Sequence, residues 1–260
     1  MKDVIIMNKK GTSLCFFSAK GGTGKTTNLL NLAGIISQLE KKVLVIDFDL
    51  YTGSVAKYLN KTFDRSIIDL NDDLENNRYN KITDYVTKYN ENIDILCAPI
   101  DPRQANKFNV RYVKDVINMS CLEYDVVLID TNNSLDALNL SILESVEKIL
   151  FITTNDIIDL SNIKSLITIF NKIGLVNYKV LLNNSRDPFK SLLDIFEIKK
   201  ILGCNVDYEL SSEMFLKNVD KYVMEGKIIS LDKSFSSVMA KDYLTFVSLA
   251  TDVLEEGKDE

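Results

Sequence analysis

The chain has 260 residues, 46% of them hydrophobic, with a net charge of −6, no histidine and four cysteines. That length and apolar fraction suit one α/β domain with a sizeable core, and 3 Pro and 10 Gly argue against long linkers. Without histidine, imidazole acid–base chemistry and imidazole metal ligation are excluded. The acidic balance gives no bulk attraction to nucleic acid, although a local basic patch is compatible with it.

Cys15, Cys97, Cys121 and Cys204 lie too far apart for a C-x-x-C pair and read as reduced, structural thiols. No apolar run approaches the ~20 residues of a membrane span, and Met1 to Gly11 lacks the apolar core of a signal peptide. The expected location is the cytoplasm.

In chain order, the first strand is Leu14-Cys15-Phe16-Phe17. It runs into Ser18-Ala19-Lys20-Gly21-Gly22-Thr23-Gly24-Lys25-Thr26-Thr27, and a helix follows with Leu29, Leu32, Ile36 and Leu39 on one face. Strand, glycine loop and helix are the setting of a phosphate-binding loop. Gly21, Gly22 and Gly24 reach backbone angles closed to other residues, so N–H groups can turn inward as an anion nest at the helix N-terminus. Lys25 would reach the β- and γ-phosphates, the Thr26 hydroxyl would ligate Mg2+, and the Thr27 hydroxyl would cap the α-phosphate. The alternative is a glycine-rich turn that binds nothing.

A second strand, Lys41 to Asp47, ends in an acid and continues through Asp49 to Gly53. Acids at the carboxyl end of a parallel strand face the ligand crevice of an open α/β sheet. Short helices are expected at Ile67–Leu74 and Ile82–Tyr89, a strand at Ile93–Pro99 and a helix near Val110–Met119. Tyr124 to Asp130 is the most regular buried strand. Its apolar run closing on an acid is a Walker B pattern, in which Asp130 would hold a water on Mg2+. Further strands are expected at Glu147–Thr154 and Tyr178–Asn183. Further helices are expected at Asp159–Ile173, Phe196–Leu202, Met214–Gly226 and Ser236–Leu254. Strands alternating with helices imply a mostly parallel, twisted sheet covered on both faces.

Lys20 to Thr27 completes the pattern K-G-G-x-G-K-[ST]-[ST], whereas the generic loop pattern fails at Ala19. This form resembles the MinD/ParA family of dimerising ATPases, the deviant Walker A group, over Ser13 to Leu254. The resemblance implies an α/β P-loop NTPase fold, ATP and Mg2+ as ligands, and an ATP-dependent homodimer. In that dimer Lys20 reaches the partner's nucleotide. The D-x-D-x-x-x-G spacing of Asp47, Asp49 and Gly53 is most similar to the CpaE/TadZ pilus-assembly branch. There Asp49 positions the attacking water, and Asp47 lies near the Mg2+ with Thr26 and Asp130. Asn183 stands where relatives read the adenine edge, and a turn asparagine is the alternative. Asn184 replaces a more usual arginine. Thr131-Asn132-Asn133-Ser134 replaces the proline of the γ-phosphate-sensing loop. Asp207 is aligned with a proline near the base, so no base contact is assigned there.

The domain expectation is an N-terminal extension at 1–12, one P-loop ATPase domain at 13–254 and an acidic tail at 255–260. Cluster-holding cysteines, a C-terminal tyrosine cluster and a basic membrane helix, which mark other branches of the family, are not evident. The expected role is a slow, switch-type ATPase that positions or recruits a protein partner, for a pilus or secretion apparatus, without stable membrane insertion. That branch usually carries a receiver-like domain before the ATPase, so targeting is expected from the ATPase surface or a partner. The alternative is a ParA-like partition ATPase whose ATP dimer binds DNA non-specifically. Its candidate phosphate contacts are Arg186, Lys190, Lys199 and Lys200.

Overall fold

The structure, a computed structural model, describes residues 10–184, 193–212 and 219–255. Its strands are β1 (Thr12–Phe17), β2 (Val43–Asp47), β3 (Thr87–Lys88), β4 (Ile93–Leu96), β5 (Val126–Asp130), β6 (Lys148–Thr153), β7 (Tyr178–Asn183) and β8 (Tyr208–Leu210). They form one sheet in the order β3-β4-β2-β5-β1-β6-β7-β8. Every pairing is parallel except β3 with β4. The helices are α1 (Lys25–Gln38), α2 (Ser54–Tyr58), α3 (Ile67–Glu75), α4 (Val113–Glu123), α5 (Ala137–Ser145), α6 (Ile157–Lys172), α7 (Ile195–Leu202), α8 (Val219–Met224), α9 (Phe235–Val238) and α10 (Ala240–Glu255).

Side chains alternate between the faces of a strand, and β1 shows the consequence. Leu14 and Phe16 pack with Leu29, Leu32 and Ile36 of α1 and Phe246 of α10. Cys15 and Phe17 join the opposite core with Val116 and Ile117 of α4 and Leu160 and Ile163 of α6. Both faces are therefore covered, as the alternation of strands and helices predicts. Register sets the site: Phe16 pairs with Asp130 and Asp47 with Asp130. The carboxyl ends of β1, β2 and β5 thus meet at one edge, where ligands of open α/β sheets bind.

Several elements differ from their sequence expectation. Ile82–Tyr89 is not a helix. A 3-10 turn covers Ile82–Asp84, and Thr87–Lys88 then pairs with β4. The buried Tyr85 donates its hydroxyl to Asp73, which fixes the chain there. Asn90 accepts from the Asn92 and Ile93 N–H groups to turn the hairpin. The helix expected near Val110 begins as a 3-10 turn over Val110–Tyr112 before α4. The expected last helix is two, separated at the buried Met239. Helices α2 and α5 were not anticipated. Gly226 follows α8 with φ 62°, and a Cβ there would lie 2.4 Å from the Leu59 carbonyl oxygen, so only glycine fits. Met214, Arg186, Lys190 and Gly257–Glu260 lie outside the described residues. No helix among the described residues is long and apolar enough to cross a membrane.

Candidate nucleotide site

The loop between β1 and α1 turns through left-handed angles at Gly22 (φ 75°) and Gly24 (φ 94°). Gly24 is the N-cap of α1, which has neither a side-chain cap nor an acidic residue in its first turn. By contrast α3, α5, α6 and α7 are capped by Ser66, Asp136, Asp156 and Asp194. An uncapped helix start with its positive dipole end toward the loop suits an anion. Lys20, Gly21 and Gly22 are exposed, and a Cβ on Gly21 would meet nothing closer than Asn133 Oδ1 at 4.0 Å. The cradle is open where phosphate would lie.

Lys25 Nζ donates to Ser18 Oγ at 2.9 Å, and Ser18 Oγ donates to the Lys20 carbonyl at 2.8 Å. This relay folds the ammonium back over the loop. Burial draws the Lys25 pKa below the usual lysine range, and the carboxylates of Asp130 and Asp49 oppose that shift. A cation held among acids is suited to polyanionic phosphate.

Beside it lies a set of hard oxygens. Thr26 Oγ1 donates to Asp130 Oδ2 at 2.6 Å. Asp130 is buried, and its Oδ1 has no hydrogen-bond partner among the described residues. Burial pushes the Asp130 pKa up to about 6, against the Thr26 bond and the Lys25 charge. An orphaned carboxylate oxygen next to a threonine hydroxyl is a poor structural feature and a good place for a magnesium-bound water. The residues therefore fit Mg2+. No group of three or more His, Cys, Asp or Glu among the described residues could hold a metal.

The two acids after β2 are arranged differently. Asp47 Oδ1 accepts from the Asp49 N–H at 3.1 Å and Oδ2 from the Val55 N–H at 3.0 Å. Burial and the neighbouring Asp130 hold its carboxyl well above the usual range. Asp47 thus organises the turn into α2. Asp49 is half-buried and accepts from the Thr52 N–H at 3.2 Å. Thr27, on the other side of α1's first turn, meets the Tyr58 hydroxyl of α2.

At the opposite flank, Asn183 is buried and its Nδ2 donates to the Thr23 carbonyl at 2.8 Å. The amide therefore tethers the loop to the end of β7. A recess of about 340 Å3 opens beside it, lined by Asn155, Asn184, Glu209, Ser211 and Lys241 among others. Asn184 Nδ2 donates to Glu209 Oε1 at 2.9 Å on its wall. The carboxyl end of β8 is Leu210, so the segment facing this edge is Ser211–Ser212. Asp207 lies at the other end, accepting from the Val180 N–H at 2.7 Å, and does not face the site.

Lys20 Nζ is 3.9 Å from Asp156 Oδ1, and the lysine side chain is 51% exposed. In the loop after β5, Asn132 Oδ1 accepts from the Ser134 N–H at 2.8 Å and from Asn139 Nδ2 at 2.6 Å, which sets Asn133 over Gly21. Sequence reasoning missed Asn139, Asp156 and Ser54. The hydroxyl directly after Gly53 was the one available signal for Ser54.

Fold and site together define a P-loop nucleotide-binding protein. A family model described as an AAA domain matches residues 11–181, and the chain belongs to that family. The tyrosine-protein kinase YwqD of Bacillus subtilis is 31% identical over 129 residues, 48% of this chain and 52% of that protein. The chain thus spans about half the length of that relative. A ParA family ATPase from Chlorobium tepidum has TM-score 0.79 at 21% identity, covering 93% of this chain and 98% of its own. The septum site-determining protein MinD of Pyrococcus horikoshii, complexed with Mg-ADP, has TM-score 0.77 at 21% identity, covering 95% and 98%. The fold is that of the MinD and ParA proteins.

Proposed function

We propose that the chain is a slow ATPase that dimerises on ATP and Mg2+ and recruits a protein partner while dimeric. Gly21 to Thr27 would bind the phosphates, with Lys25 against the β- and γ-phosphates and Thr26 and Asp130 toward the metal. Asp47 would act in this set by holding its turn. Asp49 would orient the attacking water, since positioning and charge stabilisation are most of what phosphoryl transfer asks of a protein. Asn183 would support the nucleotide from the flank, with the base in the recess beside it.

The observation that carries the dimer reading is Lys20, a half-exposed ammonium on the phosphate loop, 3.9 Å from Asp156 Oδ1. Tyr51, Ile100, Leu135, Ile157 and Ile158 are also exposed. They follow the carboxyl ends of β2, β4, β5 and β6, so they share the loop's edge. A second copy would cover them and bring Lys20 to the opposite nucleotide. The pilus or secretion assignment rests on the Asp47–Gly53 resemblance to CpaE/TadZ proteins.

Co-sedimentation of the ATP-locked protein with DNA, and separately with anionic liposomes, tests the role. Pelleting with neither is expected. DNA pelleting would replace this reading with partition, and liposome pelleting with membrane recruitment.

A further inference from the structure

Ser54 opens α2 directly after Gly53, whose φ of 56° turns the chain back toward the loop. Its Oγ lies 3.1 Å from Thr26 Oγ1 and donates to Asp130 Oδ2 at 3.3 Å. Two hydroxyls therefore point their protons at one carboxylate oxygen, while Asp130 Oδ1 stays buried and without a partner among the described residues. A hydroxyl that donates in one direction keeps its lone pairs for another. With both protons on Asp130, the lone pairs of Thr26 and Ser54 face a third group; across their 3.1 Å either hydroxyl can otherwise donate to the other.

We propose that Ser54 Oγ is a direct magnesium ligand of this site, adjacent to Thr26 Oγ1 in the coordination sphere. The inference rests on the reading of the loop as a Mg2+–nucleotide site. Magnesium holds oxygens octahedrally at about 2.1 Å, so neighbouring ligand oxygens are about 3.0 Å apart. The observed 3.1 Å between the two hydroxyl oxygens matches that edge. Asp130, accepting from both, fixes their orientation and keeps an oxygen for a coordinated water.

The position of Ser54 is built by its surroundings. Asp47 accepts from the N–H groups of Asp49 and Val55, on either side of the turn that ends at Ser54. This gives Asp47 a definite role: both its oxygens hold the backbone that presents the serine. One helical turn later Tyr58, at the i+4 position, meets Thr27. The two adjacent threonines of the loop are thus each touched by a residue from one face of α2.

The test is equilibrium binding of a fluorescent ADP, in EDTA and over a Mg2+ titration, for wild type, Ser54→Ala and Ser54→Thr. Free Mn2+ is counted in parallel by electron paramagnetic resonance. Ser54→Ala should keep its metal-free ADP affinity and need about tenfold more Mg2+ or Mn2+ for half-maximal enhancement, in the range typical of lost support at a metal site. Ser54→Thr, which keeps the hydroxyl, should restore the wild-type metal dependence. Metal dependence in Ser54→Ala within twofold of wild type would overturn the ligand assignment. So would an equal loss of ADP affinity in EDTA, which would make Ser54 a support of the loop. Absence of ADP binding by the wild type would instead overturn the nucleotide-site reading itself.

Discussion

Asn183 distinguishes two uses of one amide. As a reader of the base it would face the nucleotide; in the structure its Nδ2 donates to the Thr23 carbonyl at 2.8 Å and the residue is 2% exposed. Asn183→Ala removes that bond and strands a carbonyl in the protein interior. Leaving a buried acceptor unsatisfied costs roughly 1–3 kcal/mol. The nucleotide-free protein should lose about that much in urea unfolding, read as a lower midpoint at unchanged slope. A loosened loop must then be ordered by the ligand, so nucleotide affinity should fall by up to the same free energy, roughly 5- to 150-fold. The penalty falls on the phosphate cradle, so ATP and GTP should weaken by the same factor. Competition of both nucleotides against a labelled analogue measures this. Unchanged stability together with a collapsed ATP-over-GTP preference would refute the tether and make Asn183 the base reader.

Two further outcomes follow from the same geometry. Lys25→Ala should lose ATP binding with the fold retained by circular dichroism, because the ammonium's direct contact is the Ser18 hydroxyl of the loop itself; wild-type affinity in the variant would move the phosphate site elsewhere. Among the cysteines, Cys204 should react first with a thiol reagent. Cys15 is fully buried with its thiol pKa raised, and burial pushes the Cys97 and Cys121 thiols up to about 12 and about 11. These three should label only on unfolding, as mass spectrometry of a labelling time course would show.

What the sequence made legible is what local chemistry dictates. The phosphate loop is contiguous, and its glycines and lysine can be read without knowing the fold. Asp130 was visible because an apolar strand ending in an acid, a weak signal alone, follows a phosphate loop in the same chain. Ser54 was not, since its partners Thr26 and Asp130 are 28 and 76 residues away and only the parallel register brings β5 beside β2. The same applies to Asn183: its position at the end of β7 was anticipated, but its bond to Thr23 spans 160 residues. Helix α5 escaped because its apolar residues, Ala137, Leu138, Leu140, Ile142 and Leu143, are spread around the helix and mark no single face. Ile82–Tyr89 misled because Tyr85 is buried by its bond to Asp73, a contact between elements and not a property of the local pattern.

The central claim is an ATP-dependent dimer closed by Lys20 and released by hydrolysis through Asp49. Size-exclusion chromatography with light scattering, in ADP and in ATP with Mg2+, measures it on wild type, Lys20→Ala and Asp49→Ala. Wild type should be monomeric in ADP and dimeric in ATP. Lys20→Ala should bind ATP and remain monomeric, because the contact it loses lies across the interface. Asp49→Ala should bind ATP and persist as a dimer, with turnover reduced by a few powers of ten, about 3–4 kcal/mol. A Lys20→Ala protein that dimerises normally in ATP would contradict the account.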